Sequence, residues 1–172
     1  MIKKIGIISD THSYWDSSFE KYFSICDEIW HAGDIGNLEI TDRLKNIAPL
    51  KGVYGNIDNN EIRQEFPLNQ FIEYGKHKIL ITHIGGKPYK YFKKSKKEIE
   101  KFKPNIFICG HSHICKVIFD KKYEMLYINP GAAGIVGFHK VRTIIRFDLH
   151  LESIKNLQVI ELKKRSDLPK AV

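Results

Sequence analysis

The sequence predicts an α/β fold of two stacked sheets with helices outside. Short apolar runs that read as β-strands recur along the chain, helix-capping signals fall between them up to about residue 66, and strand-rich segments dominate beyond that point. The first run is Ile5-Gly6-Ile7-Ile8, after which Ser17 or Ser18 can cap a helix through Ile25. Ile29-Trp30 follows, and Asn37 can cap a second helix through Asn46, stopping before Pro49. Leu50 to Tyr54 is the third run. Gln70 to Tyr74 and Lys78 to Thr82 flank Gly75-Lys76 and read as a hairpin, with Ile79-Leu80-Ile81 in its second arm. In the Lys-rich stretch from Lys87 to Lys103, Phe92, Ile99 and Phe102 form an apolar stripe, and Lys90, Lys94, Lys97 and Lys101 recur on another face, the pattern of an amphipathic helix. Ile106-Phe107-Ile108, Lys116 to Asp120, Tyr123 to Asn129, Arg142 to Leu149 and Ser153 to Leu162 are the remaining strand segments.

With 172 residues, 42% of them hydrophobic and 28% charged, the chain has the composition of one compact domain able to bury about 70% of its unfolded surface. That domain is expected over residues 1–165, with a C-terminal tail at 166–172 and fraying from Lys163-Lys164-Arg165. No repeat, linker or low-complexity tract interrupts it. The apolar run behind the basic Met1-Ile2-Lys3-Lys4 ends at Ser9-Asp10, too short for a signal-peptide core of roughly 7–15 residues. No apolar run approaches the roughly 18 residues of a membrane span, so a cytoplasmic location is expected. Cys26, Cys109 and Cys115 fit free thiols in a reducing compartment. Cys109-Gly-His-Ser-His-Ile-Cys115 allows two readings: a closed Cys/His zinc site, or two small buried hydrophobes flanking a ligand loop.

Five polar clusters stand just after apolar runs: Asp10-Thr11-His12, Gly33-Asp34, Gly55-Asn56-Ile57-Asp58, Thr82-His83 and Gly110-His111-Ser112-His113. Open α/β sheets bind ligands beyond the carboxyl ends of their strands, and one cluster arrives roughly every 25 residues, near the length of one strand-plus-crossover unit. The clusters should therefore converge. A lone Asp after a strand is often a turn former and a lone His often a packed residue; five strand ends carrying such residues in order point to a two-metal site. Asp10, His12, Asp34, Asn56, His83, His111 and His113 supply carboxylate, amide and imidazole donors without thiolate, a set suited to Mn, Fe(II), Zn or Ni. A shared carboxylate offsets repulsion between two cations, and Asp34, central in the set, is the natural bridge. Gly33, Gly55 and Gly110 precede ligands, where a missing Cβ lets the backbone turn tightly.

These blocks, Asp-x-His, Gly-Asp, Gly-Asn, His and Gly-His-x-His, resemble the calcineurin-like metallophosphoesterase superfamily from Ile5 to about Phe147. The short length and Asn129-Pro130-Gly131 resemble its small single-domain prokaryotic phosphodiesterases. The resemblance implies a four-layer αββα sandwich of two stacked mixed sheets. It also implies one metal held by Asp10, His12, Asp34 and His113, and another by Asp34, Asn56, His83 and His111, with Mn²⁺ the leading candidate. Asn56 would touch a phosphoryl oxygen, and Asp58 resembles a residue that orients a ligand without touching metal.

The reaction so implied is in-line attack on a small phosphodiester by a hydroxide between two cations. Two departures stand out. Ile57 occupies the position where many relatives carry a leaving-group His, so esters of low-pKa alcohols should be favoured. Thr82-His83-Ile84-Gly85-Gly86 also departs from the usual pattern, in a way expected to alter pocket shape. His31 either orients the site or packs at a strand end, and His77, His139 and His150 read as structural. The net charge of +8 admits nucleic acid as a partner, and the Lys87–Lys103 stretch is either a solvated face or a border of the substrate entrance. Two alternatives to a small-substrate enzyme are a nuclease, which lacks an appended nucleic-acid module here, and a protein-binding scaffold like the related retromer subunit, which would not need all seven ligands. No membrane partner is expected, and a homo-oligomer is compatible with the sequence.

Overall fold

A computed structural model describes residues 2–167. In chain order it contains β1 (Lys3–Ile8), α1 (Ser18–Phe23), β2 (Glu28–His31), α2 (Leu38–Ile47), β3 (Leu50–Gly52), α3 (Asn60–Glu65), β4 (Asn69–Tyr74) and β5 (His77–Thr82). There follow β6 (Gly86–Lys87), β7 (Lys90–Tyr91), α4 (Lys93–Phe102), β8 (Ile106–Ile108), β9 (Cys115–Asp120), β10 (Met125–Pro130), β11 (Val141–Leu149), β12 (Ile154–Lys164) and a 3-10 turn, Arg165–Asp167. One five-stranded sheet has the order β12-β11-β1-β2-β3 and the other β4-β5-β8-β10-β9. Both are mixed. β1, β2 and β3 run parallel, as do β5, β8 and β10, and antiparallel strands complete each sheet.

Side-chain alternation along the strands sorts the apolar residues into three cores, because successive residues point to opposite faces. Ile5, Ile7 and Trp30 of the first sheet meet Ile79, Ile81, Ile106 and Ile108 of the second. Ile8, Ile29 and Ile144 face the other way, against Phe19 and Phe23 of α1, Leu44 of α2 and Ile62 of α3. Leu80, Phe107 and Tyr127 pack on Ile99 of α4. Helices thus cover the outer face of each sheet, giving the αββα sandwich.

Local chemistry sets most boundaries. Asn37 caps α2, its Oδ1 accepting from Ile40 N at 3.3 Å, and Asn59 caps α3 through Ile62 N at 3.1 Å. β4 and β5 form the expected hairpin, with Tyr74 opposite His77. Four expectations are corrected. α1 is capped by neither serine side chain: Asp16 Oδ1 accepts from Ser18 N and Ser18 Oγ, and the helix ends at Phe23, before exposed Ile25. The third strand stops at Gly52, where the chain bends into its ligand loop. The basic helix begins at Lys93 instead of Lys87, because β6 and β7 form a small hairpin held by Asp120, which accepts from Tyr89 N at 3.2 Å and Tyr91 Oη at 2.6 Å. Lys90 is therefore not on the face shared by Lys94, Lys97 and Lys101. Lys163 and Lys164 do not fray but continue β12, with Lys164 opposite Val141. Of the expected tail, Ser166 and Asp167 lie in the 3-10 turn, and residues 168–172 fall outside the described residues.

At the amino end of β2, Glu28 is surrounded by permanent donors: Lys3 Nζ, Lys51 Nζ at 2.8 Å and Trp30 Nε1 at 3.0 Å. Burial works against its charge, but Lys3, Lys51 and Trp30 hold its carboxyl down to about 2.

Candidate metal centre

At the opposite end of the same strands the ligand loops are stitched together through their backbones. Asp10 N donates to Gly33 O (2.9 Å), His12 N to Asp34 O (3.0 Å) and Gly110 N to His83 O (3.1 Å). Asp10, His12, Asp34, His111 and His113 all have left-handed backbones, with φ between 46° and 66°. Non-glycine residues adopt this region sparingly, at a cost of order 1 kcal/mol or more each, and residues held there cluster at functional sites.

Glycines make room for the ligands in two ways. Gly33 has φ +93°, as a tight turn requires, and a Cβ there would also lie 2.7 Å from the His83 ring. At Gly55 the reason is space and not the turn: a Cβ would sit 2.0 Å from Asp34 Oδ1.

Six of the seven expected ligands gather into two groups, Asp10–His12–His113 and Asp34–His83–His111, each with donor atoms within 4.8 Å of one another. Asp34 stands between them. Its Oδ2 is 3.6 Å from His12 Nε2 and its Oδ1 is 3.1 Å from His83 Nε2. Asp10 Oδ1 lies 3.1 Å from His113 Nε2. Asn56, the seventh, lines a cleft together with His83. Cys109 is buried with its Sγ on Tyr127 Oη, and among the described residues no cysteine joins either group, so the closed Cys/His site does not form.

Among the described residues, three of these atoms, Asp10 Oδ1, His12 Nε2 and His83 Nε2, are buried without a hydrogen-bond partner. Buried polar atoms are nearly always satisfied; one cation at each group would satisfy them, Asp10 and His12 in the first and His83 in the second. Asp10 and His83 are already tied through their other polar atoms. Asp10 Oδ2 accepts from Ser9 Oγ (2.6 Å) and His111 N (3.1 Å). His83 Nδ1 donates to Ala32 O (2.8 Å), which leaves the Nε2 lone pair facing Asp34 in the neutral ring. Burial alone would favour the uncharged forms. Instead Asp34 and Asp10 raise His83, while the His83 ring and Ile57 N hold the Asp34 carboxyl below the usual range. His111 is lowered by burial and by His83.

Asp58 lies outside both groups. Its Oδ1 accepts from Gly36 N (2.8 Å) and its Oδ2 from Gly55 N (2.7 Å), tying the loop after Asp34 to the loop that carries Asn56. His31 is fully buried. Because its Nδ1 accepts from Gly33 N (3.1 Å), the neutral ring's proton is on Nε2, which donates to Thr11 Oγ1 (3.0 Å), and burial lowers its pKa to about 4. Ile57 is exposed and offers no proton.

Two positioning residues were not assigned roles from sequence. Asn129 Nδ2 donates to Gly110 O (2.9 Å) and Ser112 Oγ (3.1 Å), and its Oδ1 accepts from Gly131 N, which holds the last ligand loop; the Asn129-Pro130-Gly131 motif was the available signal. His139 packs its ring 5.3 Å from that of His113 and bonds Gly134 O through Nε2. No motif surrounds it. His77 bonds the carbonyl of His150, away from the centre.

The sequence profile of the calcineurin-like phosphoesterase superfamily domain matches residues 4–152. The chain belongs to that superfamily. A probable metallophosphoesterase of Methanocaldococcus jannaschii is 33% identical over 139 residues, covering 76% of this chain and 68% of its own. Among solved structures, an archaeal phosphodiesterase aligns with TM-score 0.68 and 25% identity over 92% of this chain and 99% of its own. Vps29 of Chaetomium thermophilum aligns with TM-score 0.74 over 93% and 95%, but at 18% identity that likeness concerns the fold alone. Superfamily membership supports phosphoester hydrolysis with divalent metals, and no described helix is long and apolar enough to cross a membrane.

Proposed function

We propose that the protein is a phosphodiesterase that works with two divalent cations on small phosphodiesters. Asp34 carries this reading, since its two oxygens reach the two histidine groups from between them. Asp10, His12, Asp34 and His113 would hold one ion, and Asp34, Asn56, His83 and His111 the other. The oxygen and nitrogen donors suit Mn²⁺ first, with Zn²⁺, Fe²⁺ and Ni²⁺ as alternatives. When bound, such ions acidify water into a nucleophile near neutral pH and balance charge developing on phosphoryl oxygens.

The chain's own residues do the rest. Ala32 O fixes the His83 ring so that Nε2 is free to ligate. Asp34, held ionised, supplies the charge needed between two cations. Asn56 presents an amide on the cleft wall to a phosphoryl oxygen, and Asp58 sets the distance between the Asp34 and Asn56 loops. Neither Ile57 nor the locked, buried His31 can protonate the leaving oxygen. Leaving groups therefore depart as anions or take a proton from solvent. The archaeal phosphodiesterase neighbour supports a diester substrate, and the free thiols of Cys26, Cys109 and Cys115 support a cytoplasmic setting.

The test is elemental analysis of the purified protein, followed by assay of an aryl phosphodiester series with chelator and with added Mn²⁺. Chelation should abolish turnover and Mn²⁺ restore it, with rates falling steeply as leaving-group pKa rises. A flat series would show that an unassigned residue donates the proton, and an inert protein at full metal loading would remove the phosphodiesterase reading.

A further inference from the structure

A cleft of about 480 Å³ opens beside the second histidine group, within the roughly 300–1,000 Å³ usual for small-molecule sites. His83, 1% exposed and with Nε2 unpartnered, lines it together with Asn56. The cleft therefore adjoins the atoms at which a scissile phosphoryl group would sit.

Its remaining lining has two chemistries. Leu68 (50% exposed), Ile84 (38%) and Phe92 (54%) present apolar surface to solvent, beside the Tyr54 ring with the Arg63 guanidinium 4.9 Å above it. Lys93, Lys94 and Lys97 add to Arg63, against the single carboxylate of Glu98. Among the described residues, none of these three lysines has an ion-pair partner. The placement of Lys93 and Lys94 in the first turn of α4 also opposes helix stability. α2 and α3 begin with asparagine caps and place Glu39 and Glu61 in their first turns, whereas α4 begins with no side-chain cap and no acid. Cations at the positive pole of a helix are unfavourable. An anion in the cleft would turn that cost into attraction.

We propose that the cleft holds a substrate arm that carries a ring and ends in a second phosphoryl group, the chemistry of a phosphorylated nucleoside. This deepens the phosphodiesterase reading and rests on it: the scissile phosphate lies at the centre, the ring against Phe92 and Tyr54, and the second phosphate among Lys93, Lys94 and Lys97. Stacking and apolar contact bind the ring. Charge-assisted hydrogen bonds bind the distal phosphate.

Calorimetric titration of the metal-loaded protein with inorganic phosphate, a nucleoside 5′-monophosphate and the matching 3′,5′-bisphosphate tests this. The bisphosphate should bind about tenfold or more tighter than the monophosphate, the fold-change of one added charge-assisted hydrogen bond. Combining Lys93→Gln, Lys94→Gln and Lys97→Gln should collapse that ratio toward one, while Lys101→Gln, outside the cleft lining, should leave it intact. Phe92→Ser should weaken both nucleotides relative to inorganic phosphate. Equal affinity for the two nucleotides overturns the proposal. So does oligonucleotide affinity that climbs with length, which would make the occupant a polynucleotide. Failure of the two readings is separable: an aryl diester hydrolysed without a bisphosphate preference removes only the cleft assignment, and the preference without hydrolysis removes only the phosphodiesterase.

Discussion

β2 carries a buried carboxylate near each of its ends, and the two are treated in opposite ways. Glu28 precedes Trp30 and receives two lysines and an indole N–H, so its charge is balanced by cations and bound by a further donor. Asp34, beyond the other end, has Ile57 N and imidazoles around it, and among the described residues the neighbouring Asp10 Oδ1, His12 Nε2 and His83 Nε2 have no hydrogen-bond partners. The first arrangement is complete as it stands and serves stability. The second is a set of donors that converge without satisfying one another, on backbones held in an unfavourable region. A fold able to satisfy Glu28 fully has left its other end open to a cation.

The sharpest way to break this comparison is Asp34→Asn. One neutral amide cannot balance two cations, so occupancy should fall at both positions and turnover by about 10³-fold or more, the loss of several kcal/mol of charge stabilisation. Elemental analysis alongside kinetics checks both, and unchanged turnover would remove the bridging role.

Asp58→Asn should act less severely, because Asp58 holds backbone and not metal. A loss of about 10- to 100-fold with metal still bound is expected. Complete loss of metal in this variant would mean that Asp58 belongs among the ligands.

At the satisfied end, Glu28→Gln should leave turnover intact and lower stability by about 1–2 kcal/mol at neutral pH, toward the low end because solvent reaches Lys3 and Lys51. The sign of its pH dependence follows from the depressed carboxyl. Its contribution is complete above the unfolded value near 4.5 and fades as pH falls toward about 2. Denaturant midpoints of parent and variant should therefore converge in acid, and a constant difference across that window would assign the effect to packing.

The ligand loops were legible in the sequence because each combines a strand-end apolar run with polar residues that strands and helices disfavour. Contacts distant in sequence were not legible. Asp16, which accepts from Ser18 N at the start of α1, also binds Arg142, which arrives on β11 from 126 residues away. The hairpin that delays α4 depends on Asp120 of β9, invisible to any local pattern of lysines. Lys163 and Lys164 read as a basic end, yet pairing with β11 draws β12 out to Lys164. His139 reaches the centre only because its loop folds back over His113.

The bond from His111 N to Asp10 Oδ2 spans 101 residues and joins the two sheets, which sets a timetable for the centre. At roughly 5–20 residues per second of synthesis, Asp10 and His12 leave the ribosome on the order of ten seconds before His111 and His113 exist. Closing a loop this long also costs more chain entropy than a local contact does. Until His111 and His113 emerge, each of the two donor groups lacks one member and Asp10 Oδ2 lacks one of its two donors.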